Sequence, residues 1–208
     1  RLPPSILFSG PEASGKLTAA LELARILSCA EGHAIWSCTC GSCKRHKELS
    51  HPDLLIMGPR NSILEIRAAA EAFLAKKTPA TRYLFIRSIR KLTLRFNQEL
   101  TGDDDTRAQK AVPLLSAINE SLEEIDPARP LPEDVTLEKI VRSLVDDAEK
   151  VETDFMYDSI PVSQVRNAAA WARLSPSGKK KVLVVENADR LQEAARNAFL
   201  KVLVEPPA

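Results

Sequence analysis

The sequence predicts an α/β fold in which a parallel sheet with flanking helices carries a large all-α insertion. Short apolar runs at 5–9, 54–57 and 182–185 are typical of buried strands, and helical periodicity follows each of them. Strands that alternate with helices favour a parallel sheet. Between the second and third runs, residues 61–157 read as charged amphipathic helix. A complete nucleotide-binding fold has more strands, so we expect an incomplete fold, a piece of a longer protein.

The individual elements follow from apolar spacing and from breakers along the chain. Residues 29–46 form a cysteine-rich loop, and His51-Pro52-Asp53 is a turn. The core is predicted over 1–58 and 158–208, and the helical insertion over 59–157. Predicted helices share a 3.6-residue apolar period, and they are placed at 17–28, 62–76, 80–100, 105–125, 135–152, 162–174 and 192–204.

Composition gives no sign of a membrane or a polyanionic partner. The chain has 208 residues, 44% hydrophobic and 27% charged, with a net charge of +1. A net charge so close to zero does not indicate nucleic acid or lipid as a direct ligand. No apolar run approaches the roughly 20 residues that a membrane span needs. We therefore expect a cytoplasmic protein with no membrane partner.

The segment from Gly10 to Lys16 has the G-x-x-x-x-G-K pattern of a phosphate-binding loop, set between a predicted strand and a predicted helix. Its glycines let consecutive N–H groups converge on a phosphate, and Lys16 would reach the β- and γ-phosphates. ATP or ADP is therefore the predicted ligand. The alternative is an inherited loop that now only turns a strand into a helix. The predicted nucleotide-binding residues are Gly10, Gly15, Lys16, Leu17, Thr18 and Glu186.

Two elements that hydrolysis requires are altered. Leu17 stands where a Ser or Thr hydroxyl would ligate Mg²⁺, and Thr18 lies about 100° further round the helix. The strand 182–185 ends in Glu186-Asn187, although a phosphate-loop ATPase places an acidic pair there, and an asparagine cannot act as a general base. We therefore predict no catalytic residues and no intrinsic ATPase activity.

The four cysteines of the chain, Cys29, Cys38, Cys40 and Cys43, all fall in one short stretch. Their spacing is C-x8-C-x-C-x2-C, and four thiolates satisfy tetrahedral zinc. His33 and His46 are alternative ligands. Because four protein ligands leave no open position, the predicted zinc is structural. The alternative is a group of surface thiols that hold no metal.

These features together resemble the bacterial replicative clamp loader, the gamma/tau and delta-prime subunits of DNA polymerase III in the AAA+ (RecA-like) class. The resemblance rests on the phosphate loop, the cysteine stretch after the first helix, His51-Pro52-Asp53, the helix start at Val162, and the segment from Asn197 to Pro207. That last segment matches N-A-x-L-K-x-L-x-E-P-P. The similarity covers 1–58 and 158–208.

The resemblance implies a fold, a role and partners. Gamma/tau subunits have the hydroxyl and the acidic pair that Leu17 and Asn187 replace here, so the likeness is to delta-prime, which lacks a working ATP site. It implies a stator subunit of the DNA polymerase III holoenzyme, with gamma/tau and delta as partners. Contact with primed DNA is through the assembled complex, and contact with the sliding clamp is indirect. It also implies zinc on the cysteines.

Residues 59–157 depart from the family, whose members cross this interval in a short loop. Long surface insertions cost little stability, so the segment is either a partner-binding helical subdomain or a decoration with no partner. Asp103, Asp104 and Asp105 are read as a solvated loop or helix start. Arg87, Arg90, Lys91 and Arg95 form a small basic stripe or a solvated helix face.

Two other functions compete with a non-hydrolysing stator. An active gamma/tau-like ATPase would need a hydroxyl at position 17 and a glutamate at position 187, and the chain has neither. A stand-alone zinc-containing DNA-binding module would need a basic face or aromatic platforms, and only 5% of the residues are aromatic.

Overall fold

The structure is a computed structural model that describes residues 2–33 and 35–204. The Glu205-Pro206-Pro207 end of the predicted signature lies outside the described residues. The chain divides into two compact units. The first comprises Arg1–Pro59, Asn97–Gly102 and Asp158–Ala208, and the second comprises Arg60–Phe96 and Asp103–Tyr157.

In the described residues, the elements in chain order are α1 (Lys16–Ser28), α2 (Gly41–Lys47), β1 (Leu54–Met57), α3 (Ile63–Lys76), α4 (Pro79–Thr93), α5 (Gln98–Thr101), α6 (Thr106–Glu124), α7 (Asp134–Lys150), α8 (Val162–Arg173), β2 (Val182–Val185) and α9 (Glu193–Val204). Three short turns complete the list: 3₁₀ turns at Leu94–Phe96 and Ala188–Arg190 and a π-helical turn at Val151–Phe155. None of the described helices combines the length and the apolar character that a membrane crossing requires.

The first unit is built on a two-stranded parallel sheet. β1 pairs with β2 in the register Leu54↔Val182 to Met57↔Val185, and all of β1 is buried. Side chains alternate across a strand, and Leu55 and Met57 join a core cluster that includes Trp171 of α8 and Ala195 of α9. Burial on both faces explains why β1 is a continuous apolar run rather than an alternating one.

The short helix α5 belongs to this same core, although it interrupts the helical segment in sequence. Leu100 is fully buried in the cluster, and the Asn167 side-chain amide of α8 donates to the Leu100 carbonyl at 2.9 Å. Asn97 caps α5 by accepting from the Glu99 N–H at 2.9 Å. The helical insertion predicted over 59–157 is therefore interrupted, because Asn97–Gly102 packs with the first unit.

The second unit is a helical bundle with its own hydrophobic core. α3, α4, α6 and α7 pack around a cluster in which Phe73 and Phe85 stack at 5.8 Å between ring centroids. The buried Arg82 guanidinium donates to the backbone carbonyls of Ile125, Asp126 and Arg129, which follow the end of α6. One cation thus satisfies several carbonyls at a helix end, where intrahelical partners are lacking.

The two ends of this bundle are held together by hydrogen bonds. The Ser62 N–H donates to Glu152 at 2.5 Å, which joins the start of α3 to the π-helical turn. Asp105 caps α6 by accepting from the Ala108 N–H at 3.0 Å, and it also accepts from the Tyr157 hydroxyl. The prediction of a helix start at the three aspartates is confirmed at Asp105.

The predicted α/β class with a parallel sheet is confirmed, but one predicted strand is wrong. Residues 5–9 are not a strand in this structure, and Ile6, Leu7 and Phe8 are exposed. An apolar run becomes a strand only by pairing its backbone with a neighbour, and in the described residues only β1 and β2 are paired in a sheet. The predicted helix at 80–100 is also divided, since α4 ends at Thr93 and α5 begins at Gln98.

Gly58 allows a close backbone approach at the carboxyl ends of the two strands. Its φ is +108°, and a Cβ placed there would lie 2.0 Å from the carbonyl oxygen of Glu186. The Glu186 N–H donates to the Met57 carbonyl at 2.9 Å, so this neighbour is held in the sheet and cannot easily move. Only glycine fits at this position.

We therefore predict that Gly58→Ala destabilises the protein by about 3 kcal/mol, because steric overlap adds to the cost of the left-handed backbone. Gly32→Ala is the matched control, since its φ is +71° but a Cβ there meets no atom within 4 Å. The control should lose only about 1 kcal/mol. Denaturant unfolding followed by circular dichroism measures both, and equal losses would show that the Glu186 contact is unimportant.

A second prediction concerns alkaline pH. Burial, reinforced by the hydrogen bond to Asp105 and its charge, raises the pKa of Tyr157 against the opposing effect of Arg107. The unfolded phenol ionises near pH 10 while the folded one keeps its proton, so the unfolded state is favoured as pH rises past about 10. Tyr157→Phe should therefore flatten the fall in unfolding free energy between about pH 9 and pH 11.

The same variant should lose about 1 kcal/mol at neutral pH, because it removes a hydrogen bond. Tyr83→Phe removes the other tyrosine hydroxyl and serves as the control. If both variants keep the parent's alkaline slope in urea unfolding curves, Tyr157 does not govern it.

Candidate metal centre and phosphate loop

The four cysteines lie together at the end of α1 and the start of α2. Their Sγ atoms all lie within 4.8 Å of one another, and Cys29 and Cys38 are 3.8 Å apart. Four sulfurs about 2.3 Å from one zinc ion are separated by about 3.8 Å, whereas a disulfide needs about 2.0 Å. All four are free cysteines. The donor set and its spacing therefore fit a zinc ion held by four thiolates.

Local structure positions each sulfur. Cys29 is the C-cap residue of α1, and Cys40 is the N-cap residue of α2, where its Sγ accepts from the Cys43 N–H at 3.5 Å. That N–H lowers the pKa of the Cys40 thiol to about 6, against the effect of burial. Burial raises the pKa of the Cys43 thiol to about 12, against the effect of Arg25. The helix α2 was missed, since 29–46 was predicted as a loop.

The histidines proposed as alternative ligands lie outside this group of sulfurs. His46 is buried and stacks on His51 with ring centroids 4.2 Å apart, and burial lowers the pKa of His46 to about 3. His33 is exposed. In the described residues, the His, Cys and acidic side chains gathered closely enough to hold a metal are the four cysteines alone.

Buried polar contacts join the cysteine module, residues 29–46, to the strands of the first unit. The Asp53 carboxylate, 1% exposed, accepts from the N–H groups of Ser177 at 2.9 Å and Gly178 at 2.6 Å. His51 accepts the Asp53 N–H at 3.1 Å on Nδ1, and its Nε2 lies 3.0 Å from the Ser42 hydroxyl at the start of α2. The turn predicted at His51-Pro52-Asp53 therefore joins the cysteine module to the loop before β2.

Two lysines bind the carbonyls of the cysteine stretch. Lys179 donates to the carbonyls of Cys29 at 2.6 Å and Ala30 at 2.9 Å, and Lys47 donates to the Cys38 carbonyl at 2.9 Å. Cations at the last carbonyls of a helix complement its dipole. Sequence reasoning did not single out these contacts. The only available signal for Lys179 was a basic run ahead of a strand.

The predicted phosphate loop precedes α1, which begins at Lys16. Gly15 is the N-cap residue with φ +80°, and no side chain caps the helix. The Lys16 ammonium donates to the carbonyls of Gly10 at 2.9 Å and Pro11 at 2.5 Å, so the side chain closes its own loop. A phosphate bound at the α1 N-terminus would compete with these carbonyls for the ammonium. Leu17 is half-buried and Thr18 is exposed.

The residues predicted as the second acidic element lie at the carboxyl end of β2. Glu186 follows the strand, and its backbone packs on Gly58. Asn187 has φ +51°, a conformation that asparagine tolerates better than most residues, and its amide donates to the Pro59 carbonyl at 2.8 Å. The side chain at the position of a general base therefore has a structural role. The assignment of Gly10, Gly15, Lys16, Leu17, Thr18 and Glu186 to a nucleotide site stays a prediction.

The basic residues of α4 and the following turn do not line an open face. Arg87, Arg90 and Lys91 are half-buried, and Arg95 is 4% exposed. Lys91 pairs with Glu65, which also bonds Arg60 at 2.7 Å. The prediction of a solvated helix face is wrong at Lys91 and Arg95, which are largely buried, so these four residues do not form one exposed basic stripe.

Comparison with known proteins identifies the family. The family model described as "DNA polymerase III, delta subunit" matches residues 1–208. A curated relative, DNA polymerase III subunit delta' of Bacillus subtilis (strain 168), is 36% identical over 89 residues. The alignment covers 41% of this chain and 27% of the relative, so the chain spans about a quarter of that protein's length. No solved structure matches the chain.

The predicted resemblance to a delta-prime-type clamp-loader subunit is confirmed by these two matches. The family match extends over the helical segment as well as over 1–58 and 158–208, which carry the sequence resemblance. The chain thus belongs to the family described as DNA polymerase III, delta subunit.

Proposed function

We propose that this chain is part of a non-hydrolysing, delta-prime-type stator of the bacterial clamp loader. In this role it assembles with gamma/tau and delta subunits in the cytoplasm and helps the complex to place a sliding clamp on primed DNA. Its contact with the clamp is indirect, and its contact with DNA is made through the complex. The family match over the whole chain supports this role.

The combination of Leu17 and Asn187 is the observation that supports a subunit without ATP hydrolysis. A hydrocarbon at position 17 cannot ligate Mg²⁺, and the Asn187 amide is engaged with the Pro59 carbonyl. Hydrolysis needs both a held metal and an oriented water. Neither residue can supply its part, so the chain acts as a fixed element beside active subunits.

The architecture proposed for the first unit is a partial P-loop AAA+ core. Its support is the order of elements: a glycine loop opens α1, and the two parallel strands β1 and β2 are joined across helical segments. The cysteine module is proposed to hold structural zinc, because its four sulfurs lie within 4.8 Å of one another and four thiolates suit tetrahedral zinc.

For nucleotide, we expect ATP or ADP to bind through the phosphate loop without help from Mg²⁺. Binding of a fluorescent ATP analogue should change less than about twofold when Mg²⁺ is left out of the buffer, because position 17 offers no ligand. Leu17→Thr should create a dependence on Mg²⁺, and Lys16→Ala should weaken binding in either buffer. Strong Mg²⁺ dependence in the parent protein would contradict this account of the loop.

Reconstitution tests the role in the complex. The full-length protein, mixed with purified gamma/tau and delta subunits, should co-elute with them and restore clamp loading onto primed DNA. Lys16→Ala in this subunit should leave both loading and ATP turnover of the complex within about twofold, since its site supplies no hydrolysis. Robust Mg²⁺-dependent hydrolysis by the isolated subunit, lost in Lys16→Ala, would instead identify an active gamma/tau-like motor.

A further inference from the structure

Arg25 of α1 is buried against the cysteine group. Its side chain is 1% exposed, and its Nη1 donates to the Cys43 Sγ at 3.2 Å. Cys43 itself is 0% exposed. A charged donor has therefore been placed in the interior of the unit, at hydrogen-bond distance from one of the four sulfurs.

Two neighbours fix the orientation of this guanidinium. Glu22, one turn earlier on α1, accepts from Nε at 2.9 Å and from Nη2 at 2.6 Å, so the Arg25 fork is held by a carboxylate on one side. On the cysteine loop, the ring of Trp36 has its centroid 5.6 Å from the Arg25 Cζ, which places the guanidinium in cation–π contact. The remaining nitrogen, Nη1, is thereby directed at Cys43.

The electrostatics of a four-thiolate site call for such a group. Four thiolates and one divalent cation carry a net charge of −2, and a sulfur that solvent cannot reach has no water to spread that charge. The N–H bond from the buried Arg25 stabilises the thiolate form of Cys43. The Glu22 carboxylate that also pairs with this arginine is 35% exposed, so solvent partly screens its negative charge. Groups that bond to ligands in this way hold them in place and tune metal affinity.

We propose that Arg25 is a positioning residue of the metal site, which orients the Cys43 thiolate and stabilises its charge through the N–H bond to its sulfur. This inference rests on the proposed zinc site. It links α1, which follows the phosphate loop, to the second half of the cysteine module through a bond to a ligand rather than through packing alone. Glu22 acts one step further out, because it directs the guanidinium and does not contact a sulfur.

The test uses the full-length protein, with zinc affinity measured by chelator competition and Co²⁺ as a spectroscopic probe. In Arg25→Met, which keeps most of the side-chain volume, zinc affinity should fall about 10- to 100-fold. The sulfur-to-cobalt charge-transfer band should move to longer wavelength, because a sulfur that loses an N–H bond gives up its electrons more easily. Arg25→Lys keeps the charge but not the fork, and should recover part of the affinity.

Arg45→Met is the matched control, since Arg45 is an exposed arginine on α2, two residues after Cys43. It should keep the parent's affinity within about twofold and leave the band unmoved. Glu22→Gln should lower affinity less than Arg25→Met does. If Arg25→Met proves unstable, Arg25→Lys and Glu22→Gln decide the question through the same band.

The outcomes separate this inference from the site on which it rests. A parent protein that binds neither Zn²⁺ nor Co²⁺ with tetrahedral absorption overturns the metal site and the role of Arg25 with it. A parent that binds both, with Arg25 variants of unchanged affinity and spectrum, overturns only the role of Arg25. Equal losses of zinc affinity in Arg25→Met and Arg45→Met would show that the affinity depends on overall positive charge and not on the bond from Arg25 to Cys43.

Discussion

The first unit depends on the pairing of β1 with β2, two strands separated by residues 58–181. Both ends of this pairing are fixed by backbone contacts that few other residues could make. At the amino ends, the buried Asp53 carboxylate takes the N–H groups of Ser177 and Gly178, and the Asp53 carbonyl accepts the Val182 N–H at 2.8 Å. At the carboxyl ends, Gly58 admits the Glu186 carbonyl where a side chain would collide. The register is thus set by a buried charge and by a missing Cβ.

The free-energy cost of pairing two strands across such a long interval is small, because the interval is itself folded. Closing a flexible loop costs only about 2 kcal/mol more when its length grows tenfold. Here the intervening bundle also joins its own ends, through Ser62 with Glu152 and Asp105 with Tyr157. Its core of packed helices is separate from the cluster around Trp171. The bundle therefore needs no contribution from the sheet to bury its apolar faces, which is how a large insertion can coexist with a small sheet.

Most of the long helices were predictable to within a few residues, since their apolar period extends over several turns. The short helix α2, the end of α4 and the features that depend on partners were not. The apolar run at 5–9 has no strand partner in the described residues, so a strand predicted from its composition alone does not form. The break before α5 was signalled only by Asn97, a capping residue that a long helical pattern masks. In the site, the cysteine spacing predicted the sulfur group, and Arg25 lies four residues before Cys29 on the same helical face. No local pattern, however, could show that the guanidinium would reach Cys43, because that contact spans the cysteine loop.

Asn187, at the position predicted for the second acidic element, has a structural role instead. Asn187 adopts a left-handed backbone and bonds the Pro59 carbonyl beside Gly58, so it helps to close the edge at which the two strands end. A glutamate there could not donate to that carbonyl when ionised, and it tolerates positive φ less well than asparagine. A position that a hydrolytic enzyme reserves for activating water is thus used to hold the sheet. This exchange supports the proposed non-hydrolysing role, because a glutamate in place of Asn187 would also remove a hydrogen bond beside the pairing on which the unit is built.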